Sequence, residues 1–207
     1  MESIHVERLD HLGLLASVIK DVGLIRMIDA RLGPDAQEEI TAGEAVAGMI
    51  LNGLGCAHRP MSLPPQFFAH TPLDVLVHEG VRAEMFNRFK LGRTLDEVHA
   101  YGCDLLFSEL ALAVCVQEGI DLRFNHLDTT SFHVDGRYNS DEEPEEQVVH
   151  ITRGYSRDHR PDLNQVMLEL VVEHQAGIPL LMKPLSGTTS DAHDFGDDVA
   201  GDVVVGG

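Results

Sequence analysis

The run Asn125-His126-Leu127-Asp128-Thr129-Thr130-Ser131-Phe132-His133-Val134 holds the residue types best suited to chemistry. A strand that enters an acid and continues through hydroxyl residues can hold a metal-binding carboxylate at mid-strand. Period-two alternation puts His126, Asp128 and Thr130 on one face and Leu127, Thr129 and Ser131 on the other. A single carboxylate does not define a hard-cation site. Mg²⁺ takes one or two protein carboxylates and completes its shell with waters and substrate oxygens. A structural aspartate at a turn or strand end is the competing reading, and both stay open at this point.

Other chemistries lack their residues. A phosphatase of the haloacid-dehalogenase type needs a second Asp two positions on, where Thr130 stands. The phosphate-loop pattern G-x-x-x-x-G-K-[ST] is absent around Gly53 and Gly55. There is no G-x-S-x-G, and no His pair carries the H-E-x-x-H zinc spacing. The 12 histidines read as scattered surface residues.

A second cluster lies in Arg153-Gly154-Tyr155-Ser156-Arg157-Asp158-His159-Arg160, a basic island in an acidic chain. Arg153, Arg157, His159 and Arg160 are the candidate DNA-binding residues. They read equally as a phosphate-facing loop beside the Asp128 strand or as a loop whose Arg–Asp pairs stabilise little.

The chain that must position these groups has 207 residues, 15 Lys and Arg against 34 Asp and Glu, and a net charge of −19. Residues 1–127 hold 10 basic and 18 acidic side chains, net −8, and residues 128–207 hold 5 and 16, net −11. That balance opposes broad binding to DNA or to anionic membrane, so any DNA footprint has to be local. No apolar run reaches the roughly 18 residues of a membrane span, and the first 20 residues do not read as a secretory signal. Cys56, Cys103 and Cys115 form no CxxC, and buried thiols in a reducing cytoplasm are expected.

Residues 1–120 read as helical. Leu9 to Val22 repeats apolar residues on one face, Gly23 interrupts, and Leu24 to Leu32 continues until Gly33-Pro34. Thr41 with Glu44 forms a capping box. The helix it opens has small residues, Ala42, Gly43, Ala47 and Gly48, that predict close packing. His58 to Pro65 reads as a fixed loop, Pro72 opens a short helix, and Thr94 with Glu97 is expected to cap a long helix ending near Gly119. From about residue 121 the period changes to strands: Leu122–Val134, then Val166–Val172 and Ile178–Met182 as a hairpin across Gln175-Ala176-Gly177. The acidic tract 141–146 reads as a solvated loop, and residues 194–207 as a disordered tail.

Three blocks in order, HLDTTSFHVDGRY, GYSRDHRPDLNQVMLELVV and GIPLLMKPLSGTTSD, resemble insertion-sequence transposases of the DDE superfamily, the IS-four-like group. HRPMSLPPQFF and FNRFKLGRTLDEVHAYG resemble the helical N-terminal region of the same group. The resemblance spans residues 5 to 193. It implies an α+β fold: a helical N-terminal domain over 1–120, then over 121–193 the first three antiparallel strands of an incomplete RNase H-like catalytic domain. It implies that Asp128 is the first catalytic and metal-binding Asp. Intact relatives use two further carboxylates, Mg²⁺ or Mn²⁺, and insertion-sequence ends as DNA substrate.

The sequence departs from the family after Asp191. The second Asp and the Glu have no matching positions, and Asp202 precedes an apolar run instead of ending one. The expectation is a C-terminally truncated copy, inactive alone and without a stably bound metal. The alternative is a non-catalytic regulatory module. Its expected partners are a second copy or full-length transposase, and no membrane. A metalloenzyme using Asp128 differently is the third reading.

Overall fold

The computed structural model describes residues 9–33, 38–55, 64–134, 149–154, 160 and 162–188. The fold is α+β, and the chain divides into two compact units, 1–117 and 118–207.

The first unit is helical. Helix α1, Leu12–Asp21, and α2, Leu24–Leu32, are separated at Gly23, whose φ of 71° suits a residue without a Cβ. Helix α3, Ala42–Leu54, starts with the capping box. Thr41 Oγ1 accepts the Glu44 N–H at 3.1 Å, and a Glu44 carboxylate oxygen accepts the Thr41 N–H at 2.7 Å. The small residues of α3 allow the expected close packing. A Cβ on Gly43 would collide with the Ile25 carbonyl oxygen of α2. Helix α4, Pro64–Phe68, and α5, Leu73–Leu76, precede a 3-10 turn, Ala83–Phe86. Ile40, Ala45, Ala47, Leu51, Phe68 and Phe86 lie at the centre of the core, with the Phe68 and Phe86 rings 4.9 Å apart. Much of the loop expected over 58–65 lies outside the described residues. Its last two positions, Pro64 and Pro65, open α4 instead.

The long helix expected from Thr94 is two helices, α6 (Arg88–Tyr101) and α7 (Cys103–Glu118), set 85° apart. Gly102 makes the break with φ 107°. The true cap of α6 is Asn87, whose side chain accepts the Phe89 and Lys90 N–H groups at 3.1 Å each. Thr94 is therefore not a cap. It is a buried mid-helix residue. No single helix among the described residues is long and apolar enough to cross a membrane. Of the thiols expected to be buried, Cys115 is buried but Cys103 is exposed, and Cys56 lies outside the described residues.

The second unit holds an antiparallel sheet of β1 (Asn125–Val134), β2 (Thr152–Arg153), β3 (Asn164–Glu173) and β4 (Pro179–Ser186). Strand β3 pairs with all the others. Strands β2 and β4 share one of its edges end to end: β2 pairs at Asn164 and Gln165, and β4 from Val166 onward. The expected three lanes are thus present, with β2 as an unforeseen two-residue extension. The Gly187 N–H donates to the His150 carbonyl at 3.0 Å and closes the seam between them. The acidic tract and the tail expected at 194–207 lie outside the described residues.

Candidate functional site

Asp128 stands near the middle of β1, paired across the ladder with Leu170 of β3. Strand alternation puts it on the face that also carries His126, Thr130 and Phe132 from β1 and Val166, Leu168, Leu170 and Val172 from β3. This face is only half covered. Phe132 is 49% exposed, and none of the four aliphatic residues of β3 is buried. Burial on β3 is deeper on the opposite face, at Gln165, Met167, Glu169 and Glu173. The Asp128 carboxylate is exposed and accepts the Thr129 N–H at 2.8 Å.

Among the described residues no group of three or more His, Cys, Asp or Glu converges as a metal site. Around Asp128 they supply one carboxylate. A two-cation centre needs several anionic ligands to hold ions about 3.5–4 Å apart. The described residues alone do not fit such a centre.

The end of the sheet nearest Asp128 is polar. Register pairs His126 with Val172, and the ladder runs on past the strand ends, where the His174 N–H donates to the Phe124 carbonyl at 3.0 Å. His126 and His174 are thus diagonal neighbours on one face, close enough for long side chains to meet. His126 Nε2 and His174 Nδ1 lie 2.8 Å apart. Beside them a cavity of about 300 Å³ is lined by Asp121, Phe124, His174 and Gln175. Asp121 is held by the Arg123 guanidinium, which keeps its carboxyl below the ordinary carboxylate range. The β3–β4 turn is organised by Glu173. Its carboxylate accepts the N–H groups of Gln175 (2.6 Å), Ala176 (2.8 Å) and Ile178 (2.8 Å), and these bonds hold its pKa down.

The basic island is only partly described. Arg153 is exposed on β2, while Arg157 and His159 lie outside the described residues. Arg160 forks onto Asp162 through two bonds of 2.9 and 2.8 Å. That pair pulls the Asp162 carboxyl down to about 2, with a smaller contribution from the Arg153 charge. Arg160 is therefore committed to a neighbouring acid, and the positive charge left to face phosphate is reduced.

In the helical unit a cavity of about 1010 Å³ lies along α1, α2 and α5. Its lining is largely apolar, with Lys20, Asp21, Arg26 and Asp29 as its charged members. Asp29 is engaged, accepting the Gly43 N–H at 2.7 Å. Two ionic contacts of this unit join residues far apart in sequence. Arg31 of α2 pairs with Glu109 of α7, which also accepts the Tyr101 hydroxyl at 2.9 Å. Lys90 of α6 pairs with Glu38.

The sequence reading missed the His126–His174 pair and the Glu173 turn cap. The β1–β3 register sets His126 diagonal to His174 and is not written in their spacing, whereas Glu173 stands at the mouth of the β3–β4 turn, two residues before Gln175, where the signal was local.

No curated protein and no solved structure matches the chain. A family model, the domain of unknown function DUF4277, matches residues 4–112, just over half of the chain and nearly all of the helical unit. The chain therefore belongs to the DUF4277 family, which is associated with transposases.

Proposed function

We propose that the chain is a transposase protein of the DDE type, in which the helical unit serves recognition or assembly. The sheet unit is then the opening part of the catalytic domain, with Asp128 as its first acidic ligand. The observation that carries this reading is the position of Asp128: a solvent-facing carboxylate near the middle of the first strand of an antiparallel β1–β3–β4 series. The transposase association of the helical family supports it from the other half of the chain. Mg²⁺ or Mn²⁺ belongs to the completed centre, and Asp128 contributes one ligand. The chain alone is not assigned strand cleavage.

The test is enrichment of genomic fragments by the purified, untagged chain, followed by sequencing. Recovery of inverted repeats flanking the chain's own coding sequence supports the reading. A flat profile at low salt, where phosphate contacts are strongest, counts against it.

A second reading is that the chain regulates transposition by pairing with full-length transposase. Helix α7 favours it. Leu105, Leu112 and Val116 recur along that helix at helical spacing and are 51%, 43% and 77% exposed. Co-expression with an intact relative separates the two readings. Co-purification together with reduced excision supports the second, and independent behaviour supports the first.

A further inference from the structure

We propose that His126 and His174 form a bidentate site for a divalent transition metal of the Zn²⁺ class. The inference stands on the sheet geometry and does not depend on the transposase reading.

One imidazole comes from β1 and the other from the residue that follows the end of β3, and the two converge without a mediating group. His126 Nε2 and His174 Nδ1 are 2.8 Å apart, with ring centroids 5.0 Å apart and ring planes at 49°. Zn–N bonds of about 2.0–2.1 Å at octahedral or tetrahedral angles place two ligand nitrogens roughly 2.9–3.4 Å apart. A few tenths of an ångström of separation and a rotation of each ring therefore convert the hydrogen bond into a chelate. Both side chains are exposed, so such rotations are cheap.

The backbone beneath them is fixed. His126 belongs to the β1–β3 ladder, and His174 is tied by its N–H to the Phe124 carbonyl. The ligand pair is thus pre-positioned by strand register, which lowers the ordering cost of binding. Imidazole nitrogen selects borderline cations such as Zn²⁺, Ni²⁺ or Cu²⁺ over Mg²⁺, which prefers oxygen. With two protein ligands the remaining coordination positions go to water or to an oxygen of a bound molecule.

Binding needs the protons on His126 Nδ1 and His174 Nε2, leaving the facing nitrogens as lone-pair donors. From the neutral pair this is a tautomer change through solvent with no net proton released.

The test is calorimetric titration of the untagged full chain with ZnCl₂, alongside long-range ¹H–¹⁵N spectra of the histidine rings. The expected result is one site whose occupancy shifts the ring nitrogens of His126 and His174. His126→Gln and His174→Gln should each weaken it at least about tenfold, equivalent to about 1.4 kcal/mol. His99→Gln, an exposed histidine on α6, should bind as the parent does. Asp128→Asn should also bind as the parent does, which separates this site from the carboxylate proposed for catalysis. Parent-like binding in both His126→Gln and His174→Gln would overturn the proposal. So would ring nitrogens that stay put at saturating Zn²⁺ in the unmodified chain, or an Asp128→Asn loss as large as the histidine losses.

Discussion

The Phe86 ring occupies the space that a Cβ on Gly48 would need. Helix α3 carries a glycine there because the aromatic core of the helical unit presses directly onto its backbone. Gly53, on the same helix, has nothing within 4 Å of a Cβ position. The two glycines therefore predict opposite outcomes. Gly48→Ala should destabilise the helical unit by about 1–3 kcal/mol through overpacking. Gly53→Ala should stabilise it by about 0.4–1 kcal/mol through the unfolded state. Urea denaturation of the two variants checks both signs, and equal effects would refute the packing account.

Lys90 is 4% exposed, and its ammonium meets Glu38. Glu38→Gln leaves that cation buried without its anion and should cost about 3–5 kcal/mol. Lys90→Met should cost less, because Glu38 is then left facing the Arg93 guanidinium 3.7 Å away. Denaturation midpoints should rank parent, then Lys90→Met, then Glu38→Gln. The reverse order of the two variants would mean that the lysine stem, and not its charge, sustains the contact.

Glu173 supplies a pH prediction. Its folded pKa lies below its ordinary 4.5 because its carboxylate accepts the Ile178, Ala176 and Gln175 N–H groups. A depressed folded pKa means stabilisation that is present above the unfolded value and lost as pH falls through the folded one. Hydrogen-exchange protection of the Ala176 and Ile178 amides should therefore fall with acidification below about pH 4.5. In Glu173→Gln that dependence should flatten. Unchanged acid sensitivity in the variant would place the titrating group elsewhere.

Asp128 is exposed, and the one hydrogen bond described for its side chain is from the adjacent Thr129 N–H. Asp128→Asn preserves an acceptor there and should change stability by no more than about 0.5 kcal/mol. The purified chain should show no Mn²⁺-dependent strand cleavage above background, since the described residues near Asp128 provide one carboxylate of a centre that needs several. Cleavage abolished by Asp128→Asn would overturn this second expectation. A large stability loss would overturn the first.

What could be read in the chain was local. The Thr41–Glu44 box, the Gly23 interruption and the turn at Gln175-Ala176-Gly177 each depend on residues a few positions apart. All three recur in the structure. Thr94 with Glu97 had the same local signature and failed. Its helix starts seven residues earlier, at the Asn87 cap, and ends where Gly102 turns the chain. The capping pattern states what a helix start tolerates, and the packing of α6 decides where the start falls. Cys103, the first residue of α7 after that turn, is exposed. The least legible feature was register. His126 and His174 are separated by 48 positions, and only the pairing of β1 with β3 brings their rings together. Nothing in the spacing of the chain encodes that alignment, so the histidines read as scattered.

The central place of β3 also sets an order in time. When the full chain refolds from denaturant, β1 finds its pairing partner only across residues 135–163. Strand β4 needs only the short turn at 174–178. The loop-closure relation makes the first pairing costlier by roughly 1.5 kcal/mol. Hairpin formation on the scale of about 1–10 μs would thus produce β3–β4 while β1 is still waiting. The strand that carries Asp128 is then the last lane to join on refolding, and until it docks its exposed backbone is open to strands of other unfolded chains.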